Sequence, residues 1–352
     1  MKILKKIYSF LTSAKLAMAL LVAIFVCCVA GVTIWRGAEA GRMIFGTLWF
    51  NGILVLLVVN VACCFFGRIW GRRVTLISFG MILFHLSFVV IMFAVIYNSL
   101  FYFRGIIRLT EGETLPSAEL QNYDYAEHGR FFSMSKMRGE TTLIRMYAGY
   151  MVDGTDKRAA YEIAVGEEGA KSQGIIYITK GLKHKGIRYF NDKEGYSILI
   201  VLYDSQGNEI YGAYVPLQSL RQEDNTYLYT TGTKESPGSL PFPQWDEHPI
   251  FHLQVAYFPD PANERAGGVT FQVWPFEPSD KMEDVTPLAE GGVPVGERFD
   301  TGEYYLSVKE VRYWVGMTVR YDPGLPIVLT SLWVSLGGMA ITFIGRLRKS
   351  RN

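Results

Sequence analysis

Four long runs without a charged side chain constrain this sequence more than any other feature. They cover residues 16–35, 48–66, 74–103 and 325–345. Each run holds 19 to 30 residues, and a helix needs about 20 apolar residues to cross roughly 30 Å of hydrocarbon. Backbone polar groups in lipid must be satisfied internally, so such runs have to be helices. We therefore predict an integral membrane protein with three spanning helices in residues 1–103 and a fourth in residues 325–352.

The basic residues predict how these helices are oriented. Eleven Lys and Arg residues, with no Asp or Glu among them, lie before the first run, between the second and third runs, and after the fourth. By the positive-inside rule these three segments are cytoplasmic. Both termini are then inside, and residues 104–324 form an extracytoplasmic domain.

The charge of this domain limits the classes of partner that it can bind, and its lack of cysteine excludes disulfides and covalent haem. Residues 104–324 hold 22 Lys and Arg against 32 Asp and Glu, a net charge of −10. This balance argues against nucleic acid and against anionic lipid, and it fits either a basic protein partner or a solvated acidic surface. All four cysteines lie in the predicted spans as two adjacent pairs, so the domain has no disulfide framework, no CxxC pair and no CxxCH site for covalent haem.

The same domain has the sequence pattern of β-structure. Residues 197–214 contain two apolar stretches separated by the turn sequence DSQGN, which predicts a hairpin. Further β-rich runs are Thr142–Met151, Tyr161–Val165, Gly174–Thr179, Ile250–Phe258, Val269–Trp274 and Tyr304–Tyr321. In the last run every second residue from Tyr313 to Tyr321 is apolar or aromatic, as on a half-buried strand. We predict a sandwich-like β-rich domain, either as one unit or as two lobes split near residue 240.

His85 is the side chain in the three N-terminal runs that most suggests chemistry. Apart from Cys and Tyr it is the only ionisable residue there, and it lies 11 residues after Val74. That distance is about 17 Å along a helix, near the middle of a membrane. A neutral imidazole at this depth is a common axial ligand of haem iron, but spacing alone does not separate this role from a hydrogen bond to a neighbouring helix. A haem with two histidine ligands would need its second histidine from a partner subunit.

The remaining candidates are less suggestive of chemistry. His248 and His252 begin a predicted strand, where positions four apart lie about 13 Å from each other, so a shared metal is excluded. His184, in the sequence KHKG, is expected at a turn or on the surface. Asp322 precedes Pro323 and the last run, an arrangement typical of a helix N-cap. We find no catalytic constellation, and no metal site is expected apart from haem iron at His85.

Five short stretches, in order along the chain, are similar to those of a known family. They are SAKLA at 13–17, FGTLWF at 45–50, FHL at 84–86, LTEGE at 109–113 and YWVGMTVRYDPG at 313–324. With the predicted topology, they resemble the ResB family, also called CcsB, of system II cytochrome c biogenesis. Residues 181–190 match that family more loosely. The outer domain is comparatively short, and the sequence GVTI at 31–34 stands where the family often has a Gly-Thr-Leu turn.

The resemblance implies a multi-pass subunit of the bacterial cytoplasmic (inner) membrane, without catalytic residues of its own, in a haem lyase complex. With a ResC/CcsA-type partner, such a subunit exports haem and presents it to apocytochrome c for thioether bond formation. It implies haem b as a transient, non-covalent ligand, His85 as its axial ligand, and roles for His184 and Asp322. The tryptophan-rich haem-binding segment of this system belongs to the partner, and Trp245 does not reproduce it.

Two other interpretations stay open at this point. The chain could be a redox subunit that uses haem or quinol at His85, which a second histidine in the spans would have favoured. It could also be a membrane-anchored β-domain that binds a ligand or holds a complex together, with His85 in a structural role. The haem content of the purified chain, with and without its partner, distinguishes the three.

Overall fold

The helices fall into two groups, separated in the sequence by a β-rich domain. The computed structural model describes residues 2–35, 38–69, 74–223, 227–232, 238–243, 249–276 and 286–351. The helices are α1 (Lys2–Leu11), α2 (Ala14–Thr33), α3 (Leu48–Ile69), α4 (Leu76–Phe101) and α5 (Leu325–Arg351). A short segment, Ala38–Ala40 followed by the π-helical turn Gly41–Phe45, precedes α3.

Three of these helices, α2, α4 and α5, are long and apolar enough to cross a membrane. Within the described residues the structure therefore corrects the predicted number of spanning helices from four to three. The difference lies in α3, which extends over 22 residues. Its described apolar stretch is only Leu48–Cys64, at most 17 residues. The uncharged run in this helix ends shortly before Arg68, and its described side chains stop at Cys64.

The third predicted span is shorter at both ends than the run 74–103. Helix α4 begins at Leu76 because Thr75 and Ser78 form a capping box, in which each side chain accepts a hydrogen bond from the other residue's backbone N–H. The helix ends at Phe101, and Phe103 already belongs to a strand. Tyr102 and Phe103 are uncharged, so composition alone could not separate the end of the helix from the start of the strand.

Helices α4 and α5 pack closely because glycines line their contact. A Cβ atom added to Gly80 would lie 2.5 Å from the Gly338 carbonyl oxygen, and one added to Gly338 would lie 2.8 Å from the Gly80 carbonyl oxygen. A Cβ atom on Gly345 would lie 2.8 Å from the Ile77 side chain. Close backbone approach at small residues drives helix association in lipid, where the hydrophobic effect contributes little.

The segment between α4 and α5 is β-rich, and its described strand pairs are antiparallel. In chain order the strands are β1 (Phe103–Thr110), β2 (Thr114–Pro116), β3 (Tyr123–His128), β4 (Glu140–Ala148), β5 (Met151–Val152), β6 (Thr155–Asp156), β7 (Ala159–Gly166), β8 (Ser172–Ile176), β9 (Leu182–His184), β10 (Ile187–Tyr203), β11 (Glu209–Pro216), β12 (Gln218–Arg221), β13 (Tyr227–Thr230), β14 (Leu240–Phe242), β15 (Phe251–Pro259), β16 (Gly267–Pro275), β17 (Ala289–Pro294), β18 (Arg298–Asp300) and β19 (Tyr305–Tyr321). The predicted hairpin is confirmed as β10 and β11. In its turn the Asp204 carboxylate accepts hydrogen bonds from the backbone N–H groups of Gln206 and Asn208.

Three sheets make up most of the domain. A seven-stranded sheet has the order β11-β10-β19-β1-β3, with β9 on β10 and β18 on β19. A six-stranded sheet has the order β12-β13-β15-β16-β17, with β14 on β15, and a four-stranded sheet has the order β2-β4-β7-β8. Strands β10 and β19, of 17 residues each, pair with each other along their full length. This pair is therefore the spine of the domain.

Two hydrophobic cores lie along this spine. The membrane-side core packs the seven-stranded sheet against the four-stranded sheet, and the distal core packs it against the six-stranded sheet. Between them the Trp314 indole lies on Gly195, where an added Cβ would be 2.7 Å from Nε1, and it donates a hydrogen bond to the Leu217 carbonyl oxygen. Leu240 packs against the distal core, so the change from one core to the other lies near Gly195 and Trp314 rather than near residue 240.

The domain is attached to the helices at two adjacent points. Strand β1 follows α4 directly, β19 leads into α5, and Phe103 pairs with Tyr321 at the ends of these strands. The Gly324 backbone N–H donates a hydrogen bond of 3.1 Å to the side-chain oxygen of Asn98, close to the end of α4. The packed pair α4–α5 thus continues into the paired strands β1 and β19.

Candidate functional site

His85 lies on α4, and its ring is held by the backbone of the same helix. Its Nδ1 atom is 2.8 Å from the Met81 carbonyl oxygen, one turn earlier. The Phe84 ring stands edge-on to the imidazole, with 5.3 Å between ring centroids. Because a carbonyl oxygen only accepts hydrogen bonds, this contact assigns the proton of the neutral ring to Nδ1 and the lone pair to Nε2. Metal-ligating histidines are usually oriented in this way, with the second ring nitrogen donating to a carbonyl or carboxylate.

The structure shifts His85 somewhat from the centre of its helix. Helix α4 has 26 residues, which corresponds to about 39 Å. His85 is nine residues after Leu76, so it lies about 14 Å from that end and about 5 Å short of the midpoint. Its depth is still that of the apolar part of the helix, on the side away from the β-rich domain.

His85 lies on the same face of α4 as residues that contact α3 later in the helix. Met92 and Ile96 are seven and eleven residues after His85, so the three share one stripe of the helix. Met92 and Ile96 belong to the hydrophobic cluster that also contains Phe50 and Leu54 of α3. His85 is half-buried. His85 extends this stripe toward the N-terminal end of α4.

A small cavity of about 250 Å³ lies between α4 and α5, next to His85. We call it the seam cavity; it is lined by Met81, Phe84, Met339, Thr342, Phe343 and Arg346. Met81 and Phe84 also contact the His85 ring, although His85 is not among the lining residues. The volume is below the roughly 300–1,000 Å³ usual for small-molecule pockets, so this space alone is small for a large ligand.

A larger cavity, of about 430 Å³, lies where the helices meet the β-rich domain. We call it the junction cavity; it is lined by Gly31, Ala40, Gly41, Phe45, Gly46, Phe50, Leu54, Val95, Asn98, Ser99, Tyr102, Arg104 and Glu127. These residues come from α2, from the π-helical turn and the residues beside it, from α3 and α4, and from strands β1 and β3. Its volume lies within the range of small-molecule pockets.

His184 flanks a turn, as expected, because it pairs with Ile187 across Lys185 and Gly186, but it is buried, so the expected surface position is wrong. It ends β9, and its side chain is 8% exposed. The ring packs on Gly166, where an added Cβ would lie 2.9 Å from Nε2. The Nδ1 atom is 2.8 Å from the Ser172 hydroxyl, and Nε2 has no hydrogen-bond partner among the described residues. Burial, followed by the neighbouring charge of Lys185, lowers the pKa of His184 below its ordinary value.

Asp322 forms an ion pair instead of capping the last helix with its side chain. Its Oδ2 atom accepts a hydrogen bond of 3.0 Å from the Arg188 guanidinium, and the Asp322 side chain is 10% exposed. At the start of α5 the Leu325 N–H donates to the Asp322 backbone oxygen, and the Gly324 N–H donates to the Asn98 side chain. The predicted N-cap role is therefore replaced by a link to β10, which sequence order alone does not reveal.

The structure separates the three candidate residues into two places. His184 and Tyr321 both pair with Ile187, so His184 and Asp322 lie at the membrane-side end of the β-rich domain. His85 lies 16 residues before Phe101, about 24 Å along α4 from this end of the domain. A single site that contains all three side chains is not formed.

Of the two histidines His248 and His252, the structure describes one. His248 lies outside the described residues. The His252 ring stacks on Phe276 at 5.3 Å, and its backbone pairs with Trp274 in the neighbouring strand. Within the described ranges, no group of three or more His, Cys, Asp or Glu residues is placed to hold a metal ion.

Sequence reasoning missed the junction cavity. Its polar residues Asn98 and Ser99 interrupt the end of an apolar run, and Arg104 follows directly after the run. Polar residues at a helix end are common, and Glu127 is 23 positions farther along, so the sequence gives no sign that these side chains share a cavity. Asn51 within the second run is the clearest available signal, because a buried amide in an apolar helix needs partners.

The fold and the histidine define a membrane-anchored β-rich protein with an imidazole inside an apolar helix. No protein-family model matches the sequence. The chain is similar to the cytochrome c biogenesis protein CcsB of Picosynechococcus sp., with 26% identity over 161 residues. The matched region covers 42% of this chain and 34% of that protein, so the similarity extends over about a third of the relative's length.

Proposed function

We propose that this chain is a haem-handling subunit of a cytochrome c assembly complex, and that His85 supplies one axial ligand to haem in transit. The observation that carries the proposal is the contact of His85 Nδ1 with the Met81 carbonyl oxygen at 2.8 Å. It favours the tautomer whose Nε2 can bind iron. The similarity to a cytochrome c biogenesis protein also supports a role in cytochrome c assembly.

The surroundings of His85 fit a transient ligand of haem better than a permanent site. The Phe84 ring beside the imidazole and the apolar seam cavity suit a porphyrin face. Arg346, which lines that cavity near the basic end of α5, supplies a cation for a propionate. The small volume of the seam cavity means that a second protein surface must complete the site. Haem is therefore the cargo of this chain, held loosely and passed on.

The missing second ligand supports dependence on a partner. The sequence has no other histidine in its apolar runs, and a bis-histidine haem needs two. We propose that a ResC/CcsA-type membrane protein supplies it, and that the complex presents haem to apocytochrome c. In this proposal His184 and Asp322 support the membrane-side face of the β-rich domain, and the chain has no catalytic group of its own.

The proposed direction of transfer requires the β-rich domain to be outside the cytoplasm. The eleven basic residues that flank the apolar runs favour this orientation. With the N-terminus inside, this location also requires a fourth crossing, for which α3 is the candidate although it is not among the three long apolar helices counted above. Its described apolar stretch of at most 17 residues is about 25 Å long, at the lower limit for a spanning helix.

Reporter fusions test this topology. A reporter that is active only outside the cytoplasm should be active after residue 234 and inactive at the C-terminus, and a cytoplasmic reporter should give the reverse pattern. The same location for both fusion sites would contradict the orientation.

The ligand role is tested by measuring haem per folded complex. The chain is purified with its partner, and haem absorption is divided by protein concentration for the wild type and for His85→Ala. We expect the ratio to fall to less than half in the variant. His128→Ala is the matched control, because His128 is an exposed histidine on β3 and should leave the ratio unchanged.

A scaffold role is the second candidate, and one observation favours it. A hydrogen bond from an imidazole to the carbonyl of its own helix also satisfies a histidine that has no ligand. In that case the β-rich domain would hold an assembly together. Haem per folded complex would then be unchanged in His85→Ala, and the ligand role would be wrong.

A further inference from the structure

The junction cavity is not used by the proposed haem transfer, and its shape suggests a ligand of its own. Its deepest apolar residues are Leu54 of α3 and Val95 of α4. Each is six residues from the domain-side end of its helix, so the cavity reaches about 9 Å into the helical part. The aromatic rings of Phe45 and Phe50 complete the apolar wall. The cavity therefore extends from the base of the β-rich domain into the apolar part of the helices.

The mouth of the cavity carries one positive and one negative side chain. Arg104 on β1 and Glu127 on β3 approach only to 3.8 Å, and their side chains are 47% and 13% exposed. The Arg104 guanidinium also lies 5.8 Å from the Tyr102 ring. Glu127 accepts a hydrogen bond of 2.7 Å from the Tyr125 hydroxyl. A charged hydrogen bond is normally shorter than 3 Å, so this pair is not closed.

A second arginine on the same strand shows what a closed pair looks like. Arg108 donates to Asp124 Oδ2 from both Nε and Nη2, at 3.0 and 2.7 Å, and its guanidinium lies 4.9 Å from the Trp314 ring. Arg104 makes no comparably short contact among the described residues. The fold therefore holds the Arg104 guanidinium at the cavity, and its N–H groups remain available to a ligand.

Asn51 does not line the cavity but supports two residues that do, Phe45 and Ser99. The Asn51 amide nitrogen lies within 3.3 Å of the Phe45 and Thr47 carbonyl oxygens and of the Ser99 hydroxyl. The Asn51 side-chain oxygen is buried and has no hydrogen-bond partner among the described residues. Buried acceptors are nearly always satisfied in folded proteins.

We propose that the junction cavity binds an aminophospholipid from the leaflet that faces the β-rich domain. The phosphate pairs with Arg104, the primary ammonium group pairs with Glu127, and one acyl chain lies between Phe50, Leu54 and Val95. An anionic headgroup without an amine would meet the Glu127 carboxylate, and an uncharged one would leave the Arg104 guanidinium without a short charged contact. A zwitterion with N–H donors satisfies both ends of the mouth.

Such a lipid would join the two parts of the molecule. Arg104 and Glu127 belong to the β-rich domain, whereas the apolar lining belongs to the helices. A bound lipid would therefore fix the domain against the end of the helical part. The proposal does not depend on haem, and it can fail or succeed independently of the function proposed above.

The test is native mass spectrometry of the purified full-length chain with added lipids of equal chain length. Phosphatidylethanolamine should bind roughly tenfold more tightly than phosphatidylglycerol, which lacks the amine, or phosphatidylcholine, whose ammonium has no N–H. Equal binding of the three lipids by the wild-type chain would overturn the proposal, and this comparison needs no variant.

Three variants refine the result. Arg104→Gln should lower phosphatidylethanolamine binding about tenfold, and Glu127→Gln should remove the preference over phosphatidylglycerol. Arg108→Gln is the matched control on the same strand and should change neither. Val95→Phe fills the apolar part and should weaken all three lipids. Equal losses in Arg104→Gln and Arg108→Gln, with both variants folded by circular dichroism, would show that lipid does not bind at the junction cavity.

Discussion

The β-rich domain pairs polar side chains with one another, whereas polar side chains in the helical part donate mostly to backbone carbonyl oxygens. In the domain, distant residues pair with one another. Tyr196 and Tyr313 both donate to Glu264, at 3.1 and 2.7 Å, and their pKa values are raised, first by burial and then by the Glu264 charge or hydrogen bond. In the helical part, His85 contacts a carbonyl of its own helix, and the Asn51 side-chain oxygen has no described partner.

This difference indicates where substitutions affect stability and where they affect function. Removing Glu264 leaves the hydroxyl of the buried Tyr196 without this partner, which typically costs about 1–3 kcal/mol. Removing the His85 imidazole takes away its contact with the Met81 carbonyl oxygen, and the backbone hydrogen bonds of the helix remain. We therefore expect substitutions in the domain to lower its stability and substitutions of His85 to lower ligand binding.

The largest stability effect should come from the two cores. Met317→Ala in the membrane-side core and Leu253→Ala in the distal core remove fully buried side chains and should each destabilise by about 2–5 kcal/mol. Because β10 and β19 pass through both cores, the domain should still unfold in one transition. Urea unfolding followed by tryptophan fluorescence measures this.

Ile178→Ala is the control for these core variants, because Ile178 is 77% exposed and its loss should cost less than about 0.5 kcal/mol. Two separate transitions in either core variant would show that the lobes fold independently and that the long strands do not couple them.

An intermediate loss of stability is expected for a substitution at the contact between α4 and α5. The Cβ of Gly80→Ala would lie within 2.7 Å of the Thr342 backbone nitrogen and 2.5 Å of the Gly338 oxygen, so the helices must separate. We expect a loss of about 1–3 kcal/mol, measured as loss of helix on titration with a denaturing detergent. Gly337→Ala is the matched control, since nothing lies within 4 Å of its added Cβ. Equal behaviour of the two variants would contradict the close packing.

The smallest effect concerns the pH dependence of the domain. Burial lowers the pKa of His184 below its ordinary value of about 6.5, so the folded state holds the neutral ring. As the pH falls below 6.5, the unfolded chain takes up the proton first, and stability decreases until the folded-state pKa is passed. His184→Gln should make stability between pH 7 and pH 5 less dependent on pH than in the wild type. His128→Gln, at an exposed histidine, should not; a wild-type slope in His184→Gln would contradict the assignment.

The features that follow a local rule could be predicted from the sequence. Three apolar runs became long helices because nearly every side chain in them favours lipid. The alternation from Tyr313 to Tyr321 is that of β19, in which Val315, Met317 and Val319 are fully buried. The turn DSQGN closes the hairpin of β10 and β11 because Asp204 binds backbone groups only two and four residues away.

The features that depend on distant residues could not be predicted. Asp322 pairs with Arg188, 134 positions earlier, so its role as an ion-pair partner was hidden behind a plausible N-cap. His184 is buried because Gly166, at a φ of +127°, leaves room for its ring. The junction cavity combines residues from Gly31 to Glu127. Each of these contacts follows from the tertiary arrangement of the sheets and helices.

The central claim is that His85 Nε2 binds haem iron, and the most direct measurement is chemical rescue. His85→Gly removes the imidazole and leaves space for a free one. The complex with its partner is purified with and without added imidazole, and haem per folded complex is measured by absorption. The account predicts that haem falls to less than half in the variant and returns toward the wild-type value with imidazole, while the protein remains folded. An unchanged haem ratio in folded His85→Gly would contradict it.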